Sequence, residues 1–138
     1  MHKAETDTIV IHATIDAIEQ VAIFLEEKLE KAEISMIEAA RIQLAVEEAV
    51  TNVVMHGYDG EPGNISIWCK TSQNRVIITI TDTGSPFDPT TIPPANIIAD
   101  LDNRNIGGLG VHLIRSVMDE VTYSRDGGKN QLTLVKKL

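Results

Sequence analysis

Three short stretches of this chain bring together residue types suited to work on a phosphorylated ligand. The first is Glu47-Glu48-Ala49-Val50-Thr51-Asn52. Glu48 and Asn52 are four residues apart, so a helix places them one turn from each other on a common face. Their neighbours Ala45, Val46, Ala49, Val50, Val53 and Val54 are apolar. A helix that apolar is largely buried, where a carboxylate and an amide are costly unless something pairs with them. A metal ion carrying phosphate is one such partner, and an ordinary solvated Glu–Asn pair is the plain alternative. The second stretch, Asp82-Thr83-Gly84-Ser85-Pro86-Phe87-Asp88, directly follows an apolar run. A carboxylate at the end of a buried strand can accept a hydrogen bond from a ligand, and glycine two residues on keeps the backbone close. Its plain alternative is an Asx-type turn closing the strand. The third, Gly107-Gly108-Leu109-Gly110-Val111, opens a helical run. Successive unobstructed amides at the positive end of a helix cradle an anion. Neither the spacing of a dinucleotide fingerprint nor the Gly-Lys-Ser/Thr of a Walker loop is present.

The intervening pattern says which elements must position these groups. Thr8 to Thr14 is β-branched and reads as a strand. Asp16-Ala17-Ile18-Glu19 has capping-box spacing, and Ile18, Ala22, Leu25 and Leu29 then recur as one face of a helix ending near Ala32. Ser35-Met36-Ile37-Glu38 repeats the capping signature ahead of a helix to about His56, with Gly57 as its stop. Asn64–Lys70 alternates and Arg75–Asp82 is dense in Ile, Val and Thr; Ser72-Gln73-Asn74 joins them as an antiparallel hairpin. From Thr83 to Ile106 periodicity is lost, four of the five prolines fall here, and a short helical piece is expected around Ala95 to Leu101. Such a long irregular stretch reads as a functional lid or a disordered segment. A helix over Gly107–Asp119 and strands over Val121–Arg125 and Gln131–Lys137 complete the chain. The order is that of an α+β two-layer sandwich, three helices on one face of a mixed, mostly antiparallel sheet, in a single domain spanning 1–138.

In order and spacing, the three stretches resemble the N, G1 and G2 boxes of the GHKL (histidine-kinase-like) ATP-binding superfamily. Glu48-Ala-Val-Thr-Asn52 with His56-Gly57-Tyr58, followed by Asp82-Thr-Gly84-x-Pro86-Phe-Asp88, is similar to the anti-sigma-factor serine-protein kinases of bacteria. The resemblance implies a Bergerat-type fold and assigns roles residue by residue. Glu48 would be the general base for the attacking serine hydroxyl. Asn52 would bind Mg²⁺, and Asp82 would accept from the adenine amino group of ATP with Gly84 leaving room for the ring. Gly107, Gly108 and Gly110 would present amides to the phosphates. It further implies an anti-anti-sigma-type protein as substrate, a sigma factor as the sequestered partner, and a homodimer. Two positions depart from the family pattern. An Arg is usual directly before the glycines, whereas here Ile106 is adjacent and Arg104 lies two residues earlier. The usual Gly-Thr near the last strand is replaced by Asn130-Gln131, with Thr133 further on, so the second adenine contact is unassigned.

Composition narrows the alternatives. With 12 Lys+Arg against 20 Asp+Glu the formal charge is −8, against a binder of nucleic-acid backbones, whose affinity comes from clustered cations. No apolar run is long enough to span a bilayer, and the single Cys69 suits a reducing, cytoplasmic setting. His2, His12, His56 and His112 lack metal-ligand spacing; His56, one turn past Asn52, is placed to line a pocket, with helix capping or core packing the plainer role. Two rival functions share the motifs. One is a non-catalytic ATP-binding switch that sequesters a partner. The other is a dimeric aspartic protease built on Asp82-Thr83-Gly84-Ser85, which the long helices over 16–56 oppose.

Overall fold

The computed structural model describes residues 5–91 and 108–138. The expected helical piece around Ala95 to Leu101, together with Arg104, Ile106 and Gly107, lies outside the described residues. Strand β1 (Glu5–His12) is followed by a 3-10 turn (Ile15–Ala17) that runs into helix α1 (Ile18–Lys31). The capping box expected at Asp16 does not form. Thr14, whose backbone is extended, takes that place and accepts from Ala17 N at 3.3 Å, while Asp16 already lies inside the turn. Ser35 caps helix α2 (Met36–Asn52) as expected, accepting from Glu38 N at 3.2 Å. Beyond Asn52 the helix continues as a π-turn, Val53–Tyr58, and it ends on Asp59 in the left-handed region (φ 48°) rather than on Gly57.

Strands β2 (Asn64–Thr71) and β3 (Arg75–Asp82) form the expected hairpin. Helix α3 (Gly108–Val117) and the hairpin of β4 (Glu120–Asp126) and β5 (Lys129–Lys137) follow. The sheet order is β1-β2-β3-β5-β4. Its four pairings are all antiparallel, where a mixed sheet was expected. The α3 crossover does set β4 parallel to β3, but β5 folds back between them and pairs with both.

The helices pack on one face of the sheet. Ile65, Ile67 and Cys69 of β2, Val76, Ile78 and Ile80 of β3, and Leu134 of β5 are buried against Val21, Leu25 and Leu29 of α1, Ile42, Val46 and Val50 of α2, and Ile114 of α3. Each fully buried aliphatic side chain stabilises by about 1.5–3 kcal/mol. A one-residue slip of β2 would exchange Ile65, Ile67 and Cys69 for Ser66, Trp68 and Lys70, so this layer also locks the register. Burial pushes the Cys69 thiol up to about 11. The long helices in this arrangement leave no place for the all-β protease alternative.

Candidate active site

Helix α2 carries its polar pair into the interior. Asn52 is 5% exposed, and its Nδ2 has no hydrogen-bond partner among the described residues. Glu48, one turn earlier, is half-buried. Burial raises the Glu47 carboxyl above its ordinary range; a hydrogen bond from Gln43 opposes that shift and the charge of Glu48 adds to it.

The π-turn couples this helix end to the sheet. Tyr58 Oη donates to the Asn64 carbonyl at 2.6 Å and accepts from Thr83 N at 2.9 Å, tying the start of β2 to the exit of β3. Ser85 N donates to the Gly57 carbonyl at 2.7 Å. A Cβ on Gly84 would lie 2.7 Å from both the carbonyl carbon and the carbonyl oxygen of Gly57, so the space at Gly84 is filled by protein backbone. That gives Gly84 a packing reason of its own, separate from room for a ring. Gly84 is needed because the turn after β3 docks onto the π-turn.

Asp82, 6% exposed, closes β3. Its Oδ1 accepts from Gly84 N and from Asn130 Nδ2, both at 2.9 Å. The Asx-type turn therefore forms, and it uses the oxygen that Asn130 also uses. Asn130, 3% exposed, pairs with Asp82 across β3 and β5. Its Oδ1 accepts from Tyr123 Oη at 2.6 Å and from Arg125 Nη1 at 2.7 Å.

At the third corner, a Cβ on Gly110 would sit 2.7 Å from Glu48 Oε2. The glycine is what lets the amino end of α3, which begins at Gly108, reach the carboxylate. Arg115 of α3 donates to the Thr90 carbonyl, fastening that helix to the short turn Pro89–Thr91. His56 stacks on Phe87 with ring centroids 4.8 Å apart and planes 11° from parallel, and its Nε2 is buried without a partner among the described residues. A small cavity lined by Asn52, Asp82, Phe87, Ile114, Tyr123 and Asn130 joins the end of α2 to the sheet corner.

The structure thus sets Gly110 against Glu48, places Asn52 and Asp82 on one cavity, and holds Gly84 beside Asp82. Sequence reasoning missed the parts played by Tyr58, Tyr123 and Arg125, and left Asn130 unassigned. The usable signal at Asn130 was an amide on the apolar face of an alternating strand. Among the described residues, no group of three or more His, Cys, Asp or Glu is placed to hold a metal ion. No described helix is long and apolar enough to cross a membrane.

The family model for the histidine kinase-like ATPase domain matches residues 11–136. The chain belongs to that family. Two relatives of this histidine kinase-like ATPase domain are kinases by name. It is 29% identical over 132 residues to the serine/threonine-protein kinase BtrW of Bordetella bronchiseptica, covering 95% of this chain and 93% of that one. It is 39% identical over 92 residues to the serine-protein kinase RsbW of Staphylococcus aureus, covering 62% of this chain and 58% of that one. A crystal structure of RsbU and RsbW domains from Mycobacterium tuberculosis superimposes with a TM-score of 0.70 at 23% identity, over 97% of this chain and 32% of that one. This supports the same fold for the histidine kinase-like ATPase domain described here.

Proposed function

We propose that residues 1–138 form a single ATP-binding domain that acts as a protein-serine kinase. The observation that carries this reading is the meeting of Glu48 with the glycine-rich start of α3, one helical turn from Asn52, whose buried Nδ2 has no partner among the described residues. A structural Glu–Asn pair would be solvated or mutually bonded. A glycine that admits a carboxylate to a helix amino end suits a site where phosphate and a proton acceptor must meet.

The residues present fit Mg²⁺ and ATP. Asn52 would hold the metal through its amide oxygen, and a hard cation that shares its shell with phosphates and water needs few protein ligands. When bound, the metal neutralises charge developing on the phosphates. The amides of Gly107, Gly108 and Gly110 would bind the phosphates, and Asp82 would accept from the adenine amino group. Glu48 would take the proton of the attacking serine hydroxyl as that oxygen bonds to the γ-phosphorus and the bond to the β–γ bridging oxygen breaks, with ADP leaving. Catalysis of this kind is mostly positioning and charge stabilisation, supplied here by fixed backbone donors.

The resemblance of residues 48–58 and 82–88 to anti-sigma-factor kinases extends the proposal to the partners. The substrate is an anti-anti-sigma-type protein, the second partner a sigma factor, the assembly a homodimer and the compartment the cytoplasm. Thermal melts of the full chain test the nucleotide site. With MgATP at about 100 times its Kd, linkage raises stability by about 2.7 kcal/mol, and EDTA lowers the gain. No shift at millimolar MgATP would remove the site. A phosphoserine found by mass spectrometry on an anti-anti-sigma-type protein after incubation with the chain and MgATP supports the kinase. Binding without any transfer would leave the switch reading in its place.

A further inference from the structure

We propose that Asn130 is the positioning residue that sets which base this site accepts. The inference rests on the nucleotide-site reading above and deepens it. The orientation of the Asn130 amide is unambiguous. Arg125 Nη1, 2.7 Å away, can only donate, so the atom facing it is Oδ1, and Tyr123 Oη donates to the same oxygen. The other end of the side chain is therefore Nδ2, and its donations converge on the ligand-facing turn. They reach Asp82 Oδ1 at 2.9 Å, the Gly84 carbonyl at 2.9 Å and the Ser85 carbonyl at 3.4 Å. Arg125 Nη1 also donates to the Gly84 carbonyl at 3.0 Å.

Two consequences follow for Asp82. Its described donors, Gly84 N and Asn130 Nδ2, both reach Oδ1, so the carboxylate cannot rotate without breaking two bonds at once. Its Oδ2 is thereby left as the acceptor for a ligand at the cavity that Asp82 lines. The carbonyls of Gly84 and Ser85, which would otherwise compete as acceptors for a base amino group, are turned toward Asn130. A fixed acceptor favours a base that places an exocyclic amino group there, as adenine does. It opposes one that places a carbonyl oxygen there, as guanine and hypoxanthine do. Asn130 exerts this preference without touching the base. The strand register Asp82↔Asn130↔Arg125 sets all three groups in one row of the sheet, which makes the device rigid.

The test is the ratio of MgATP to MgGTP affinity, measured by calorimetry on the full chain and on two variants. The triphosphate is common to both ligands and cancels in the ratio, so a general loosening of the fold moves both affinities and leaves the ratio alone. The parent should prefer ATP by about tenfold to a hundredfold, the range for a hydrogen bond to a charged group. Asn130→Ala should bring the ratio to within a few-fold of parity. Asn130→Asp keeps the size but replaces the amide donor with an oxygen that cannot hold Asp82 Oδ1. Its ratio should fall in the same direction. Should Asn130→Ala not fold, Tyr123→Phe removes one donor to Asn130 Oδ1 and should shift the ratio by a smaller factor. Ratios in the folded variants equal to that of an ATP-selective parent would overturn the role of Asn130 and leave the nucleotide site standing. A parent that binds neither nucleotide would overturn both.

Discussion

The two buried polar ends of the site are built on opposite principles. At the sheet end, Asp82 Oδ1, Asn130, Tyr123 and Arg125 are bonded to one another, and the side-chain hydrogen bonds of Asn130 lie between 2.6 and 3.4 Å. At the helix end, Asn52 Nδ2 and His56 Nε2 are buried without partners among the described residues. A buried unpaired polar group costs roughly 1–3 kcal/mol, whereas a paired one is close to neutral or better. The sheet end is thus preorganised at little cost in stability, and the helix end stays incompletely satisfied until something else completes it. On the proposed function, a rigid end suits recognition of a base, and an end with an unused donor suits a phosphate that changes during turnover.

Breaking the open end at its reactive group should give the largest effect. Glu48→Ala should lower phosphoryl transfer by roughly 10²–10⁴-fold, the usual share of a general base, with MgATP affinity by calorimetry nearly unchanged. Undiminished transfer would take Glu48 out of the base role. At the closed end, Asp82→Asn should weaken ATP by about 1.5–3 kcal/mol, because a neutral amide replaces the charged acceptor. If the parent bound ATP and GTP equally, Asp82 would not be reading the base.

The contrast itself is tested by making the same change at both ends. In urea melts without ligand, Asn52→Leu should stabilise the fold by about 1–3 kcal/mol, since it removes an unpaired buried amide, and it should abolish the magnesium-dependent shift. Asn130→Leu should destabilise by a similar amount, because it takes a donor from Asp82 Oδ1 and from two carbonyls and leaves Tyr123 Oη without its acceptor. Equal signs would mean that the two ends are not different in kind. The apolar layer beneath them gives the smallest effect, through Cys69. Its folded thiol holds its proton to about pH 11, against 9.0 for a free one. Stability from this group is complete below pH 9.0 and is lost as the pH rises toward about 11, where the unfolded thiol ionises first. Denaturation midpoints over that window should fall, and Cys69→Ala should flatten the slope.

Much of this molecule is legible in local pattern. The β3 boundaries Arg75–Asp82 and the Ser35 cap follow from alternation and capping chemistry within a few residues. The grouping of Glu48 with Asn52 follows from helical spacing alone. Other features have no local sign. Val53–Tyr58 winds as a π-turn where Tyr58 lies against Gly63 and Gly84 packs onto Gly57, contacts made by residues up to 27 positions away. Thr14 displaced Asp16 as the cap because the chain leaves β1 two residues earlier than the apolar run suggests.

Composition, periodicity and side-chain type by themselves determined the α+β class, the helix and strand inventory, and the polar groups available for chemistry. All of these depend on neighbours within one or two turns of chain. Only the tertiary structure decided that β5 lies between β3 and β4, that Asn130 faces Asp82 across 48 residues, and that Gly110 comes against Glu48. Those outcomes depend on the register in which a whole buried layer closes, and that register is a property of all the strands and helices together.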